Sequence, residues 1–345
     1  MSDFVLSCCS TCDMSEEWHE RRNVLCVYFN YELAGEPCKD DYGRTHAPAD
    51  LYARMLAGAE AKTSQVSAGE YMDAWRPVLQ AGKDILHVTL SSGISGTYTS
   101  ACVARDGLAA EFPERTVIVV DSLAASSGYG LLVDRLADLR DEGMGIRDVA
   151  AWAEEHKLEV QHWFFSSDLT FFIRGGRISK AAGLVGGLLS ICPVMDVEPD
   201  GSLAVKEKIR TKHKATDRVV DLMRSLARDG MAYDGKVFIS NSECLPDAQA
   251  VGGKIEGLFD KMDGSVEYFP IGATIGTLGM YSQVAVMTQG GPGRSSRTVI
   301  YEMMYQAFDT SRFGVGCAIA ILFLIECLLW AIIINKYVAR EQIKY

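Results

Sequence analysis

Short apolar segments alternate with amphipathic ones along most of this chain, and this alternation constrains the fold more than any other feature. The segments 84–90 (DILHVTL) and 116–120 (TVIVV) each predict a buried strand. Apolar positions at helical spacing predict helices over 49–59, 131–139 and 149–156. Strands and helices in this order are typical of α/β folds with a largely parallel sheet.

One helix start is marked by its own residue pattern. Ser67 and Glu70 have the spacing of a capping box and precede the apolar Tyr71 and Trp75, so a helix is predicted to begin here. Residues 63–65 (TSQ) are polar and predict a break between elements.

The length of the chain indicates more than one domain. With 345 residues and 48% hydrophobic residues, it can bury two modest cores. We predict one α/β domain over 1–158 and a second over 159–277. In the second, residues 199–201 (PDG) predict a hairpin turn, and helices are predicted over 214–229 and 246–261 with the strand VFIS between them.

Charge and cysteine usage narrow the partners and the compartment. A net charge of -11 excludes a nucleic-acid partner, because phosphate neutralisation needs clustered Lys and Arg. The first residues carry neither a basic segment nor a long apolar run, so residues 1–277 are expected to be cytoplasmic with reduced cysteines. Cys9 and Cys12 form a CxxC without a second pair at zinc-finger spacing, which favours structural thiols over a metal or redox site.

A Ser/Gly/Thr loop follows the strand 84–90 directly. In 91–98 (SSGISGTY), Gly93 and Gly96 let the backbone approach an anion, and hydroxyls such as that of Ser95 add donors. The loop lacks the GK[ST] ending of nucleotide-binding loops, so a carboxylate or another weakly charged anion is favoured. Ordinary caps and turns explain these residues equally well.

An enzyme is the alternative from another class. A hydrolase or a phosphate-using α/β enzyme could be built on the Ser-rich loop. However, residues 93–97 (GISGT) do not match the G-x-S-x-G of a nucleophile elbow. His87 lies on a predicted buried strand, and the other histidines lack a context that pairs them with Ser95, so no catalytic residue is assigned.

Four motifs give the sequence a resemblance to a known family. Their order and spacing resemble those of the DegV family: 63–67 (TSQVS), 91–98 (SSGISGTY), 121–122 (DS) and 174–179 (RGGRIS). The resemblance implies a two-domain α/β protein that binds one long-chain fatty acid and has no catalytic group, cofactor or metal. It also implies that Thr63 and Ser95 hold the carboxylate, which a separate fatty acid kinase converts to acyl-phosphate for phospholipid synthesis.

The sequence departs from the family pattern near residue 277. Residues 272–277 (GATIGT) match the last family motif, but Leu278, Gly279 and Met280 replace the His and Gly-Pro-Gly expected next. In relatives that His helps to hold the carboxylate. Weaker binding, and weaker transfer to the kinase, is therefore expected.

The segment 278–345 resembles the end of sugar-type ABC transporter permeases. The resemblance rests on residues 286–293 (VMTQGGPG) and on the apolar segment 315–334, which is long enough to cross a membrane as a helix. One helix cannot form a pore, so no transport activity is expected. Glu326 lies in the middle of the apolar segment and makes insertion costly. Membrane anchoring through 315–334, and a chimeric product, stay as alternatives.

Overall fold

The computed structural model describes residues 4–166, 172–173, 176–177, 191–271, 317–322 and 324. Its contacts separate two units, Met1–Leu278 and Gly279–Tyr345. Most of the motif at 174–179, the residues that replace the family His, and most of the predicted helix 315–334 lie outside the described residues. Within the part that is described, no helix is both long and apolar enough to cross a membrane.

The N-terminal half contains seven of the described strands and six of the described helices. The strands are β1 (Phe4–Cys9), β2 (Val24–Val27), β3 (Asn30–Leu33), β4 (Glu36–Lys39), β5 (Ala61–Ser64), β6 (Asp84–Thr89) and β7 (Val117–Asp121). The helices are α1 (Glu16–Arg22), α2 (Pro48–Leu56), α3 (Ala68–Gln80), α4 (Thr97–Glu111), α5 (Ser126–Asp141) and α6 (Ile146–His156).

A parallel sheet with the order β2-β1-β6-β7 forms the centre of this half. Alternate residues of β6 point to opposite faces, so Ile85 packs with Trp75 of α3 and Leu108 of α4, whereas Leu86 packs with Leu132 of α5. The sheet therefore lies between two helical layers. This arrangement confirms the α/β class and the two buried strands predicted from the sequence.

Two features of this half were not predicted. The central strand β1 was missed. A small antiparallel sheet with the order β4-β3-β5 was also missed, and its strand β5 includes Thr63 and Ser64, which were predicted to form a break. The strand forms because β3 pairs with it, placing Tyr31 opposite Thr63. Pairing between distant segments leaves little trace in a polar tetrapeptide.

The C-terminal half of the first unit has its own strands and helices. Its described elements are β8 (Phe164–Phe165), β9 (Ile191–Val197), β10 (Leu203–Arg210), α7 (Lys212–Leu226), β11 (Phe238–Asn241), α8 (Leu245–Glu256) and β12 (Glu267–Pro270). Strands β8, β9 and β10 form an antiparallel sheet, and β11 pairs with β12 in parallel. The predicted hairpin turn at 199–201 joins β9 to β10, as expected.

Candidate functional site

The loop between β6 and α4 is a tight turn stabilised by Ser91. The backbone N–H groups of Ile94 and Ser95 both donate to the Ser91 carbonyl, at 3.0 and 3.1 Å. Ser95 is 3% exposed, and its hydroxyl accepts a hydrogen bond from the Thr97 N–H at 3.3 Å. This hydroxyl lies at the start of α4, a 15-residue helix with no acidic residue in its first turn and no side-chain cap at Gly96. The partial positive charge at the N-terminus of α4 is therefore not offset by an acidic side chain, and it favours binding of an anion.

The neighbouring strand-to-helix loop, after β7, is tied to the first. The carboxylate of Asp121 accepts hydrogen bonds from the Ser92 N–H at 3.1 Å and from the Leu123 N–H at 3.2 Å. Leu123 has a positive φ of 50°, so the chain turns sharply directly after the strand. The two hydroxyl-bearing loops therefore form one rigid edge at the carboxyl end of the sheet.

Thr63 lies on β5 and is 8% exposed. Two residues later, the Gln65 side-chain amide donates to the Ser100 hydroxyl on α4 at 2.8 Å. The Gln65 side-chain oxygen lies so close to Gly96 that a Cβ at that glycine would overlap it. The end of β5 is thus packed against the loop that carries Ser95. The structure brings the segments of both predicted site residues together through Gln65, which was predicted as part of a polar break and a family motif but not as a site residue.

A hairpin from the C-terminal half closes over the Ser-rich loop. The Ser91 hydroxyl donates to the Gly201 carbonyl at 2.8 Å. A Cβ at Gly93 would lie 2.5 Å from the Gly201 carbonyl carbon, so only glycine permits this approach. Gly201 itself has a φ of +80°, which favours glycine. Gly93 and Gly96 were predicted to let an anion approach the backbone. In the structure they also let neighbouring protein segments approach, since Gly93 lies against Gly201 and Gly96 lies against Gln65.

A second contact joins the two halves further along the edge. The Ser240 hydroxyl of β11 lies 2.6 Å from the hydroxyl of Ser126 and 2.9 Å from that of Ser127, both on α5. Ser126 also donates to the carboxylate of Asp13, just after β1. Ser240 was not singled out from the sequence, because a serine at the end of a short strand has no distinguishing pattern.

Behind the Ser-rich loop, His87 is buried in a small polar cluster. Its Nδ1 lies 2.9 Å from the Ser7 hydroxyl and its Nε2 lies 3.7 Å from the Cys9 sulfur. Burial lowers the pKa of His87 to about 3, so the ring is neutral near pH 7. Among the described residues, no histidine is hydrogen-bonded to Ser95. The Ser-His pair that a hydrolase would need is therefore not formed within that part of the chain.

The two cysteines of the CxxC point to different clusters. The Cys9 sulfur lies 3.0 Å from the Tyr71 hydroxyl. The Cys12 sulfur lies 3.7 Å from the Cys8 sulfur and 3.7 Å from His19 Nε2. The two sulfurs of the CxxC are therefore not neighbours, because β1 ends at Cys9 and the chain turns through Ser10–Cys12. The sequence did not indicate that Cys8 and His19 would lie beside Cys12.

Fold and site together define an α/β protein with buried hydroxyls at the carboxyl edge of a parallel sheet. The model of the DegV family, described as an uncharacterised protein family, matches residues 9–288. The chain belongs to the DegV family. The match continues past residue 277, where the family-like part was predicted to end. The comparisons do not support the predicted permease resemblance of 278–345.

Three relatives illustrate the similarity. A DegV domain-containing protein of Lactococcus lactis, YteA, is 32% identical over 286 residues, which cover 79% of this chain and 95% of the relative. The solved structure of a DegV family protein of Thermus thermophilus, described by its fatty acid binding, is 26% identical to this chain and has a TM-score of 0.65. The match covers 79% of this chain and 94% of that protein. The Fatty Acid Kinase (Fak) B3 protein of Streptococcus pneumoniae, whose structure was solved loaded with linoleic acid, shares the fold with a TM-score of 0.68 and 23% identity. The match covers 79% of this chain and 94% of that protein.

The prediction of a binding protein rather than an enzyme is confirmed at the level of the family. Two solved proteins of Thermotoga maritima with this fold are described, one as a DegV lipid binding protein and the other by its fatty acid binding function.

Proposed function

We propose that this chain is a non-enzymatic carrier that binds one long-chain fatty acid, with the carboxylate held by Ser95 and Thr63. The observation that carries the proposal is the packing of Gln65 against Gly96 and Ser100, which brings the β5 end that carries Thr63 against the Ser95 loop. Both hydroxyls are buried. Two buried hydroxyls on adjacent segments suit a ligand with one charged end.

The Ser95 hydroxyl has the capacity that a carboxylate requires. It already accepts a hydrogen bond from the Thr97 N–H, and a hydroxyl still carries one proton to donate. Among the described residues, the Ser95 hydroxyl donates no hydrogen bond. The start of α4, without acidic side chains in its first turn, adds a favourable electrostatic contribution for a single negative charge.

The relatives support the class of ligand. The Thermus thermophilus protein is described by its fatty acid binding, and the Streptococcus pneumoniae protein was loaded with linoleic acid. Because the latter is named as a fatty acid kinase B protein, we further propose that this chain presents its bound carboxylate to a fatty acid kinase for conversion to acyl-phosphate. At residues 278–280 Leu, Gly and Met stand where relatives are expected to have a carboxylate-binding His, so binding weaker than in those relatives is part of the proposal.

Lipid extraction of the purified protein tests the ligand class. The full chain, purified without detergent from a bacterial host, is denatured and extracted, and the extract is analysed by mass spectrometry. We expect close to one fatty acid per chain in the wild type, less in Ser95→Ala, and a wild-type amount in the control Ser225→Ala, whose hydroxyl bonds to the Leu222 carbonyl on α7. A wild-type protein that carries no fatty acid and takes none up from added oleate would overturn the proposal.

The kinase step has a separate readout. The oleate-loaded chain is mixed with a bacterial fatty acid kinase and ATP, and acyl-phosphate is trapped as the hydroxamate. Turnover that depends on the loaded chain supports presentation. A chain that binds oleate but leaves it unphosphorylated would reject the kinase role and keep the carrier role.

A further inference from the structure

Two thiols and an imidazole converge beside the carboxyl end of β1. The Cys8 sulfur lies 3.7 Å from the Cys12 sulfur and 3.4 Å from His19 Nε2, and the Cys12 sulfur lies 3.7 Å from the same nitrogen. All three residues are buried. We propose that Cys8, Cys12 and His19 form a binding site for a thiophilic divalent cation of the zinc type.

The spacing of the three atoms matches tetrahedral coordination. With zinc–sulfur bonds of about 2.3 Å and zinc–nitrogen bonds of about 2.05 Å, tetrahedral angles place two sulfurs about 3.8 Å apart and a sulfur and a nitrogen about 3.6 Å apart. The observed sulfur–sulfur distance is 3.7 Å, and the observed sulfur–nitrogen distances of 3.4 and 3.7 Å bracket the second value. The distances between the three ligand atoms are therefore those of a tetrahedral zinc site.

His19 already has the orientation of a metal ligand. Its Nδ1 lies 2.9 Å from the Ser15 carbonyl oxygen. A carbonyl can only accept, so Nδ1 carries a proton, and in the neutral ring the lone pair of Nε2 then faces the two sulfurs. A backbone carbonyl that fixes the other ring nitrogen is the usual outer support of a ligating histidine.

The local backbone explains how ligands so close in sequence converge. Cys8 is near the end of β1, Cys12 ends a 3-10 turn at Ser10–Cys12, and Asp13 then takes a left-handed conformation with a φ of 57°. This turn reverses the chain into α1, which carries His19. Three protein ligands leave one coordination position.

A hydrogen-bonded thiol–imidazole trio without metal would have similar distances, so the test must detect the ion itself. The full chain is stripped with a chelator under reducing conditions and titrated with Zn²⁺ alone against a chromophoric competitor. We expect one ion per chain. Binding should weaken more than about 100-fold in Cys12→Ser, since even an outer-shell support is worth 10- to 100-fold. Cys102→Ser and His156→Gln, which change a thiol and an imidazole outside the cluster, should bind as the wild type does.

A second measurement avoids variants that fail to fold. X-ray absorption of the zinc-loaded wild type should show at least two sulfur neighbours at about 2.3 Å and a nitrogen neighbour at about 2.05 Å. Cobalt substitution should give thiolate charge-transfer bands and intense tetrahedral d–d bands. Equal zinc affinity in the wild type and the double variant Cys8→Ser/Cys12→Ser, only oxygen and nitrogen neighbours around zinc, or a Cys8–Cys12 disulfide in a protein that binds no zinc would each overturn the proposal.

Discussion

The Ser91 hydroxyl donates a 2.8 Å hydrogen bond to the carbonyl of Gly201, 110 residues further along the chain. The same glycine lies against Gly93, where a Cβ would be 2.5 Å from its carbonyl carbon. The hairpin of the C-terminal half and the Ser-rich loop of the N-terminal half are therefore fixed to each other beside Ser95. The shape of the candidate site depends on this contact.

Removal of the Ser95 hydroxyl should weaken fatty acid binding. A hydrogen bond to a charged group contributes about 1.5 to 3 kcal/mol, so Ser95→Ala should raise the Kd for oleate by about 10- to 150-fold. Thr63→Val, which keeps the shape and loses the hydroxyl, should act in the same direction. Displacement of a fluorescent fatty acid measures both. Ser225→Ala serves as the control, and wild-type affinity in both site variants would argue against these contacts.

Gly93→Ala should destabilise the protein, because the new methyl group meets the backbone of Gly201 rather than a side chain that can move. Overpacking of this kind costs about 1 to 3 kcal/mol in the free energy of unfolding. Gly253→Ala is the matched control: that glycine lies in α8 with nothing within 4 Å of its Cβ position. It should be neutral or stabilising by about 1 kcal/mol. Urea unfolding measures the difference, and equal effects would mean that the hairpin does not contact the loop closely.

His87 should make stability fall in weakly acidic solution. Burial lowers its pKa to about 3, whereas a histidine in the unfolded chain titrates near its ordinary pKa of about 6.5. Between about pH 3 and about pH 6.5 the unfolded state binds a proton that the folded state does not bind. The free energy of unfolding therefore decreases as the pH falls below about 6.5, and above that pH the neutral His87 ring costs no stability.

The size of this effect follows from linkage. From pH 7 to pH 5 the wild type should lose about 2 kcal/mol more than His87→Gln, because the variant lacks the titrating ring. Urea unfolding at the two pH values gives the comparison. Other groups that titrate in this range are common to both proteins and cancel. Parallel pH profiles would show that His87 is accessible to protons in the folded state.

Asp134→Asn should destabilise the contact between the two halves of the first unit. The Asp134 carboxylate is buried, accepts from Trp18 Nε1 at 3.1 Å, and pairs with Lys236 of the C-terminal half at 2.6 Å. Burial opposes the charge on Lys236, but Asp134 and Asp138 raise its pKa, so the lysine stays charged.

Because Lys236 is partly exposed, the expected loss is about 1 to 3 kcal/mol, below that of a fully buried pair. Urea unfolding of Asp134→Asn measures it. Asp73→Asn is the control, since its carboxylate is largely exposed and pairs with Arg76 at 3.4 Å. A loss no larger than that of the control would show that the Lys236 contact contributes little.

Features encoded by local residue patterns were predictable from the sequence. The capping box of Ser67 and Glu70 forms as predicted, with the Ser67 hydroxyl accepting from the Glu70 N–H and the Glu70 carboxylate accepting from the Ser67 N–H. The strands around His87 and Val119 and the turn at 199–201 were predicted for the same reason. Periodicity and turn chemistry act over a few residues, so one sequence displays them.

Features created by contacts between distant segments were not predictable. Strand β5 is polar and exists because β3 pairs with it, and the role of Gln65 depends on where α4 lies. Cys8, Cys12 and His19 converge only because the chain reverses after β1. Thr63 and Ser95 were assigned from the family resemblance rather than from residue chemistry, which left the Ser-rich loop open to an ordinary structural explanation.

The most direct measurement for the central claim is carbon-13 NMR of oleate labelled at its carboxyl carbon and bound to the full chain. We predict one bound carboxyl resonance in the wild type, distinct from free and micellar oleate. It should shift or broaden in Ser95→Ala and Thr63→Val and stay unchanged in Ser225→Ala. Either the absence of a bound resonance in the wild type, or an identical bound resonance in both site variants, would contradict a fatty acid carboxylate held at Ser95 and Thr63.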